Sequence, residues 1–360
     1  MTTLTSLEPV SGPAAWRGDE LARSTDWIYE LSQGEIEELE RLGRRFVADD
    51  PDLRSVVADD YPFDVARSVV EHAAQALDAG HGFLLVRGLP TEGYDDALAG
   101  AIFYLVGLHL GEPMRQNERG DLIDHIRATS NKTRSLDPNA LGSKIRDALQ
   151  FHSDSSDVVA LMCLRAAKEG GASSLVSGGY LYNEVLARRP DLAPLLFEPF
   201  HFDWYKQDHA APANTYTSPI VSLVDGVFSM YAGTPMILSA QDYPEVPRLT
   251  DAQREVLALI DEIIPEPGVV LDMDFRPGDM QWLLNYAALH SRTEFVDHPE
   301  PERRRHLLRL WLHRDVNRPL APEFGRHVVV GRDAGRDGRE AADGRFTIRA
   351  ATATPPDEAA

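Results

Sequence analysis

The chain has 360 residues, 43% of them hydrophobic, with 36 Lys or Arg against 57 Asp or Glu and a formal net charge of −21. That is enough apolar material for one large domain or two medium ones with a buried core. So acidic a chain is repelled by phosphate backbones and anionic lipid surfaces, which argues against nucleic-acid and membrane partners and leaves a small molecule as the expected one.

A single cysteine, Cys163, excludes an intrachain disulfide framework and fits a reducing compartment. Within "VVALMCLRAA" it reads as a small buried apolar residue. The N-terminal stretch has no basic region followed by an apolar run, and no apolar run reaches the length of a membrane span. The expected location is the cytoplasm.

Along the chain, the first 25 or so residues read as an irregular arm. "SQGEIEELERLGRRFVAD" has a Ser start, an acidic first turn and basic residues towards its end, the signature of a helix. "FDVARSVVEHAAQALDAG" carries apolar residues at helical spacing and stops at Gly80. "GFLLVRGLP" is a short apolar run between breakers, hence a buried strand, and "DDALAGAIFYLVGLHLG" is a third helix closed near Gly111. Short apolar runs then alternate with turn clusters: "DLIDHI", "DALQFH", "VVALMCL", "SSLVSG", "PIVSLVDGVFSMY", "GVVLDMDF", "DMQWLLN" and "HLLRLWLH". Asp225-Gly226 between apolar flanks predicts a hairpin. Two helices interrupt the pattern, one ending at Pro190 and one starting at the Thr250 cap and stopping at Pro265. The predicted fold class is mixed α+β, a double-stranded β-helix (jelly-roll) core buttressed by helices. The predicted organisation is an N-terminal arm and helix over 1–45, one domain over 46–325 with a lid insertion near 200–218, and a loose tail over 326–360.

"LQFHSDSSD", from Leu149 to Asp157, carries the first chemical signal. Residues i and i+2 of a strand share a face, so His152 and Asp154 could meet one ion while Ser153 points away. The pair alone is equally a strand end entering a polar turn. In "GDMQWLLNYAALHSRTEFVD", Met280 to Leu284 reads as a strand and His290 offers a distant third ligand. Two histidines and a carboxylate on one face of iron(II) leave positions open for an oxo-acid and dioxygen. In "RRRHLLRLWLH", a strand would place Arg305, Leu307, Arg309 and Trp311 on one face. An arginine there needs an anion, either an internal Asp or Glu or a bound carboxylate that its planar fork grips.

Taken in order, these segments resemble the iron(II)- and 2-oxoglutarate-dependent dioxygenases of the taurine dioxygenase (TauD/TfdA) superfamily, clavaminate synthase-like members included. "GFLLVRGLP" looks like that family's first core strand and "GLHLGEPMRQN" like the segment after its helix; the resemblance spans roughly Gly80 to Arg318. It implies that His152, Asp154 and His290 are iron ligands and that Arg305 binds the C5 carboxylate of 2-oxoglutarate. It also implies that Ser173, where relatives use a Thr, hydrogen-bonds the same carboxylate, and that Arg309 holds an anionic group of the substrate or makes a second co-substrate contact. Halogenating relatives replace the carboxylate ligand by a small residue; Asp154 is present here, which points to hydroxylation, desaturation or ring formation. The implied co-substrates are 2-oxoglutarate and dioxygen, with succinate and carbon dioxide as products.

The expected substrate is a small, amino-acid-like anion, in amino-acid or natural-product metabolism. Gln150, Phe151, Ser155 and Asp157 flank the ligand pair and are candidate pocket residues, and Asn117 is a candidate for orienting ligands. Trp204, Tyr205, Lys206, His209 and Tyr216 are candidates for the lid. Two other readings use the same residues: a cupin-type isomerase or hydrolase holding zinc or manganese, and a non-catalytic binding protein on a decayed scaffold. Intact ligands and Arg305 argue against the second.

Overall fold

The computed structural model describes residues 7–117, 120–129, 142–203, 213–314, 318–325 and 346–353. In chain order the first elements are α1 (Gly18–Leu21), β1 (Ile28–Glu30), α2 (Gln33–Asp49), α3 (Arg67–Asp78), β2 (Phe83–Arg87), α4 (Asp96–Leu110), β3 (Glu112–Pro113) and β4 (Ile123–Ile126). The middle of the chain gives β5 (Leu149–His152), β6 (Val158–Arg165), β7 (Glu169–Gly170), β8 (Ser173–Ser177), α5 (Gly178–Arg188), β9 (Pro199–Asp203) and β10 (Thr215–Pro219). Then come β11 (Val221–Val224), β12 (Val227–Met230), α6 (Thr234–Ala240), α7 (Asp251–Ile263), β13 (Leu271–Met273), β14 (Met280–Leu284), β15 (Ala288–Arg292), β16 (Phe295–Val296), β17 (His306–His313) and α8 (Ile348–Thr352).

The helix starts follow from their caps. Ser32 and Glu35 form a reciprocal capping box on α2, and Thr250 with Gln253 does the same on α7. The β11–β12 hairpin turns on Asp225 at φ 50° and Gly226 at φ 77°, the left-handed pair an Asp-Gly turn requires.

A larger sheet runs β1-β2-β14-β6-β17-β3 with β4 also paired to β17, and a smaller one runs β13-β8-β15-β5. Alternation gives each strand of the large sheet two distinct faces. Leu308, Leu310 and Leu312 of β17, with Met280, Trp282 and Leu284 of β14, join the main apolar cluster that holds α4. The fit is close: a Cβ added at Gly107 of α4 would stand 2.8 Å from the Leu310 Cδ1 atom. The α4 helix is apolar all round because the sheet lies on one side of it and α2, α3 and α8 lie on others. No helix among the described residues is long and apolar enough to cross a membrane.

The opposite face of the large sheet meets the small one. Phe83, Leu85, Val159, Leu283 and Trp311 of the first share a buried cluster with Leu175, Leu271, Met273 and Ala288 of the second. The architecture is thus mixed α/β with several sheets and flanking helices, and strand pairing among the described residues does not close into a barrel.

Helix α2 ends at Asp49, where the expected helix ends, and so runs across the expected division at 45. The arm is packed: Trp16 sits in the cluster between the sheets and its indole donates to the His81 carbonyl. Within the expected loose tail, α8 docks on α4 with Ile348 fully buried, because Thr347 caps a short apolar stretch hidden in Gly- and charge-rich surroundings. The rest of that tail, 326–345 and 354–360, lies outside the described residues. The expected lid is flanked by the β9–β10 pair. Trp204, Tyr205, Lys206 and His209 lie outside the described residues. Tyr216 belongs to the core instead, stacked on Phe202 and hydrogen-bonded to the Tyr231 hydroxyl.

Away from the facing sheets, a polar chain ties α8 to the large sheet. Arg165 makes a two-pronged pair with Asp96 and its Nη2 donates to His306 Nδ1. His306 Nε2 lies 2.6 Å from His125 Nδ1, and His125 Nε2 lies 2.7 Å from the Ala351 carbonyl oxygen. Only one proton arrangement satisfies every link. Arginine has donors only and the carbonyl is an acceptor only, so His306 donates to His125 and His125 donates to Ala351, both rings neutral.

Candidate metal centre

The register of the small sheet brings the two histidines together. His290 of β15 stands directly opposite His152 of β5, with ring centroids 4.4 Å apart. Asp154 is not placed by strand alternation as the sequence suggested, because β5 ends at His152. The turn is held from the next sheet instead. Asn285, just past β14, accepts from the Asp154 N–H through Oδ1 and donates through Nδ2 to the Ser156 carbonyl and hydroxyl. Ser153 does point away, its N–H donating to the Ala232 carbonyl and its hydroxyl to the Asn285 carbonyl.

The result is a compact donor set. One ligand-type atom from each of His152, Asp154 and His290 lies within 4.8 Å of the others. His152 Nδ1 is 2.8 Å from the Gln150 carbonyl, so it carries the proton and Nε2 presents its lone pair on the side of Asp154, 3.6 Å away. His290 Nε2 stands 3.8 Å from Asp154 Oδ2. Burial and the neighbouring His152 push His290 down to about 3, which keeps it neutral. Burial alone would raise the Asp154 carboxyl, but Arg309, the two histidines and the Trp311 N–H bring it down to about 2. Two imidazoles and a carboxylate are the donor set that suits iron(II) with open positions.

Asp154 is itself held in place. Trp311 Nε1 donates to its Oδ2 at 2.8 Å, and Arg309 Nη1 approaches the same oxygen at 3.4 Å. Arg309 Nη2 faces Asp124 at 3.4 Å and its Nε donates to Gln116 Oε1 at 2.7 Å, while Gln116 Nε2 donates to the Arg309 carbonyl. All three nitrogens of Arg309 thus have protein partners. Asn117 turns out to cap its own turn through Asp121; the neighbour, Gln116, is the residue that reaches the site.

The flanking candidates divide. Gln150 has an exposed side chain and contributes its carbonyl. Phe151 packs against the main apolar cluster and Ser155 is half-buried in the turn. Asp157, expected in the pocket wall, accepts instead from the Tyr286 hydroxyl, from His313 Nδ1 and from the Arg314 N–H, and so pins the turn to the ends of β14 and β17.

Arg305 is different in kind. A bulge between His306 and Leu307 sets it apart from the regular alternation of β17. It is only 4% exposed, yet its guanidinium forms no ion pair among the described residues. Its Nη2 makes a long 3.4 Å contact to the Gly171 carbonyl, its Cζ lies 5.1 Å from the Phe295 ring centroid, and Nη1 has no acceptor among the described residues. Burial pushes its pKa down to about 10. Gly171 has φ +73°, and a Cβ there would press on Arg305 Nε at 2.9 Å, so the absent side chain is what makes room. Ser173 is buried on β8, its hydroxyl donating to Gln281 Oε1 at 2.8 Å. Cys163 is buried as expected.

Comparison with known proteins agrees with this geometry. Residues 47–311 match the family model described as taurine catabolism dioxygenase TauD, TfdA family. The chain is 28% identical over 333 residues to the FR-33289 synthase of Streptomyces rubellomurinus, covering 89% of this chain and 95% of that protein. It is 27% identical to a taurine hydroxylase-like protein, SAT17, of Stachybotrys chartarum, covering 82% and 77%. Among solved structures, an asparagine oxygenase complexed with Fe(II), hydroxyasparagine and succinate aligns at a TM-score of 0.60 and 16% identity, over 80% of this chain and 93% of that one. The non-heme iron oxygenase OrfP with Fe and α-ketoglutaric acid aligns at 0.59 and 17%, over 80% and 95%. The zinc or manganese isomerase reading is set aside by these matches. The chain belongs to the TauD/TfdA dioxygenase family and is an iron- and 2-oxoglutarate-dependent oxygenase.

Proposed function

We propose that His152, Asp154 and His290 hold the iron, that Arg305 takes the far carboxylate of 2-oxoglutarate, and that the enzyme hydroxylates, desaturates or cyclises a small, amino-acid-like substrate. The observation that carries the reading is the pairing of a converged His-Asp-His set with a buried arginine whose guanidinium forms no ion pair with a described side chain. A buried, unpaired guanidinium is costly unless a ligand supplies its anion. Iron(II) with 2-oxoglutarate and dioxygen supplies the oxidising power that removes hydrogen from substrate, with succinate and carbon dioxide released. The chain's own residues aim and shield that chemistry. Asn285 fixes the Asp154 backbone, Trp311 fixes its carboxylate, and the Gln150 carbonyl fixes the His152 tautomer. The two facing sheets support reading the fold as a double-stranded β-helix.

The substrate class rests on resemblance and on charge. The asparagine oxygenase and OrfP structures hold hydroxyasparagine and hydroxyarginine. Among the described residues around Arg309, its cation and that of Lys144 are matched by Asp124 and Asp154, so a substrate anion would share Arg309 rather than own it. The test is a mass-spectrometric screen of amino acids and related small acids. A substrate gains one oxygen or loses two hydrogens only when iron, 2-oxoglutarate and oxygen are all present; turnover without 2-oxoglutarate contradicts the proposal.

A further inference from the structure

Gln281 is an unexpected residue in its position. It lies mid-strand in β14, fully buried, on the face that meets the small sheet, between apolar neighbours Met280 and Trp282 that face α4. Its Oε1 accepts from the Ser173 hydroxyl, and its Nε2 has no acceptor among the described residues. A buried amide N–H₂ left without a partner is destabilising, and such groups in native proteins call for an explanation. Arg305 Nη1 presents the same problem. Both side chains meet one three-residue stretch: Arg305 lies against Gly171 and Gln281 against Ser173. The unmet groups are all donors, whereas the Ser173 proton is already given to Gln281. A carboxylate accepts only, and through two oxygens.

We propose that Gln281 Nε2 is a second donor to the distal carboxylate of 2-oxoglutarate, alongside Arg305, and that Ser173 serves chiefly to hold the Gln281 amide in place. This rests on the assignment of Arg305 above. It changes the role of Ser173 from direct contact to support, and it makes Gln281 a determinant of which 2-oxo acid the enzyme accepts.

The test is an anaerobic titration of the iron(II) protein, following the visible charge-transfer band, with 2-oxoglutarate and with 2-oxobutyrate, which lacks the distal carboxylate. Wild type is expected to bind 2-oxoglutarate far more tightly. Gln281→Met, similar in volume and without donors, should weaken 2-oxoglutarate by about ten- to a hundredfold, the worth of a hydrogen bond to a charged group, and leave 2-oxobutyrate unchanged. Gln281→Glu should weaken 2-oxoglutarate further by repulsion and again spare 2-oxobutyrate; it carries the test if the Met variant does not fold. Equal weakening of both acids, or of neither, overturns the role of Gln281 while leaving Arg305 in place. A wild type that does not distinguish the two acids overturns the Arg305 assignment and this inference with it.

Discussion

The two arginines at the ends of the site, Arg305 and Arg309, sit four residues apart and are built on opposite principles. Arg309 is closed: Gln116, Asp124 and Asp154 occupy its three nitrogens, and the Trp311 ring lies under it with 4.5 Å between Cζ and the centroid. Arg305 is open: it is buried, cationic and short of acceptors. A closed network fixes geometry before any ligand arrives, which suits a group that holds the carboxylate of the proposed iron site in one place. An open one stores unmet donors that only a ligand satisfies, which suits a group that must bind and release.

The contrast predicts stability changes of opposite sign. Arg309→Met leaves the buried Asp154 without its cation and Asp124 with Lys144 alone, and should destabilise the metal-free protein by about 3–5 kcal/mol in urea unfolding. Arg305→Met removes a buried charge that forms no ion pair with a described side chain and should stabilise the metal-free protein, by about 1–3 kcal/mol, while abolishing discrimination in favour of 2-oxoglutarate. If both variants move in the same direction, the contrast is wrong. Trp311→Phe keeps an aromatic ring, though a smaller one, and loses the N–H to Asp154; iron affinity measured by competition with a chelator should fall about ten- to a hundredfold.

The smallest effect lies away from the site, in the chain from Asp96 and Arg165 through His306 and His125 to α8. Burial, then the facing histidine and Arg165, hold His306 down to about 3, and burial lowers His125 as well. An unfolded histidine takes up its proton near pH 6.5. Below that value the unfolded chain binds protons that the folded chain refuses, so stability should fall as pH drops from about 6.5, by at most about 1.4 kcal/mol per pH unit for each histidine. Denaturation midpoints at pH 7.5 and 5.5 check this. His125→Leu should flatten the dependence, and an unchanged slope would place the acid sensitivity elsewhere.

What was legible in the sequence was what depends on near neighbours. Ser32 and Thr250 announce their helices, Asp225-Gly226 its hairpin, and the apolar runs their strands, because caps, turns and alternation are local physics. His152, Asp154 and His290 were found as residue types in an order. Their supporting residues were not, because register decides them: Asn285, Trp311 and Gln116 reach Asp154 or Arg309 across strands distant in sequence. Asp157 and Tyr216 look like pocket and lid residues by position and are structural by partner. The one available signal for Gln281 was an amide between Met280 and Trp282 in an otherwise apolar strand, a polar residue with no local reason to be there.

The most direct test of the central claim is an anaerobic titration of the metal-free protein with iron(II) in the presence of 2-oxoglutarate, followed by visible absorbance and run in parallel on His152→Ala. The account predicts one equivalent of iron and a charge-transfer band for wild type, and neither for the variant. A band that persists unchanged in His152→Ala, or a wild type that never develops one, would contradict it.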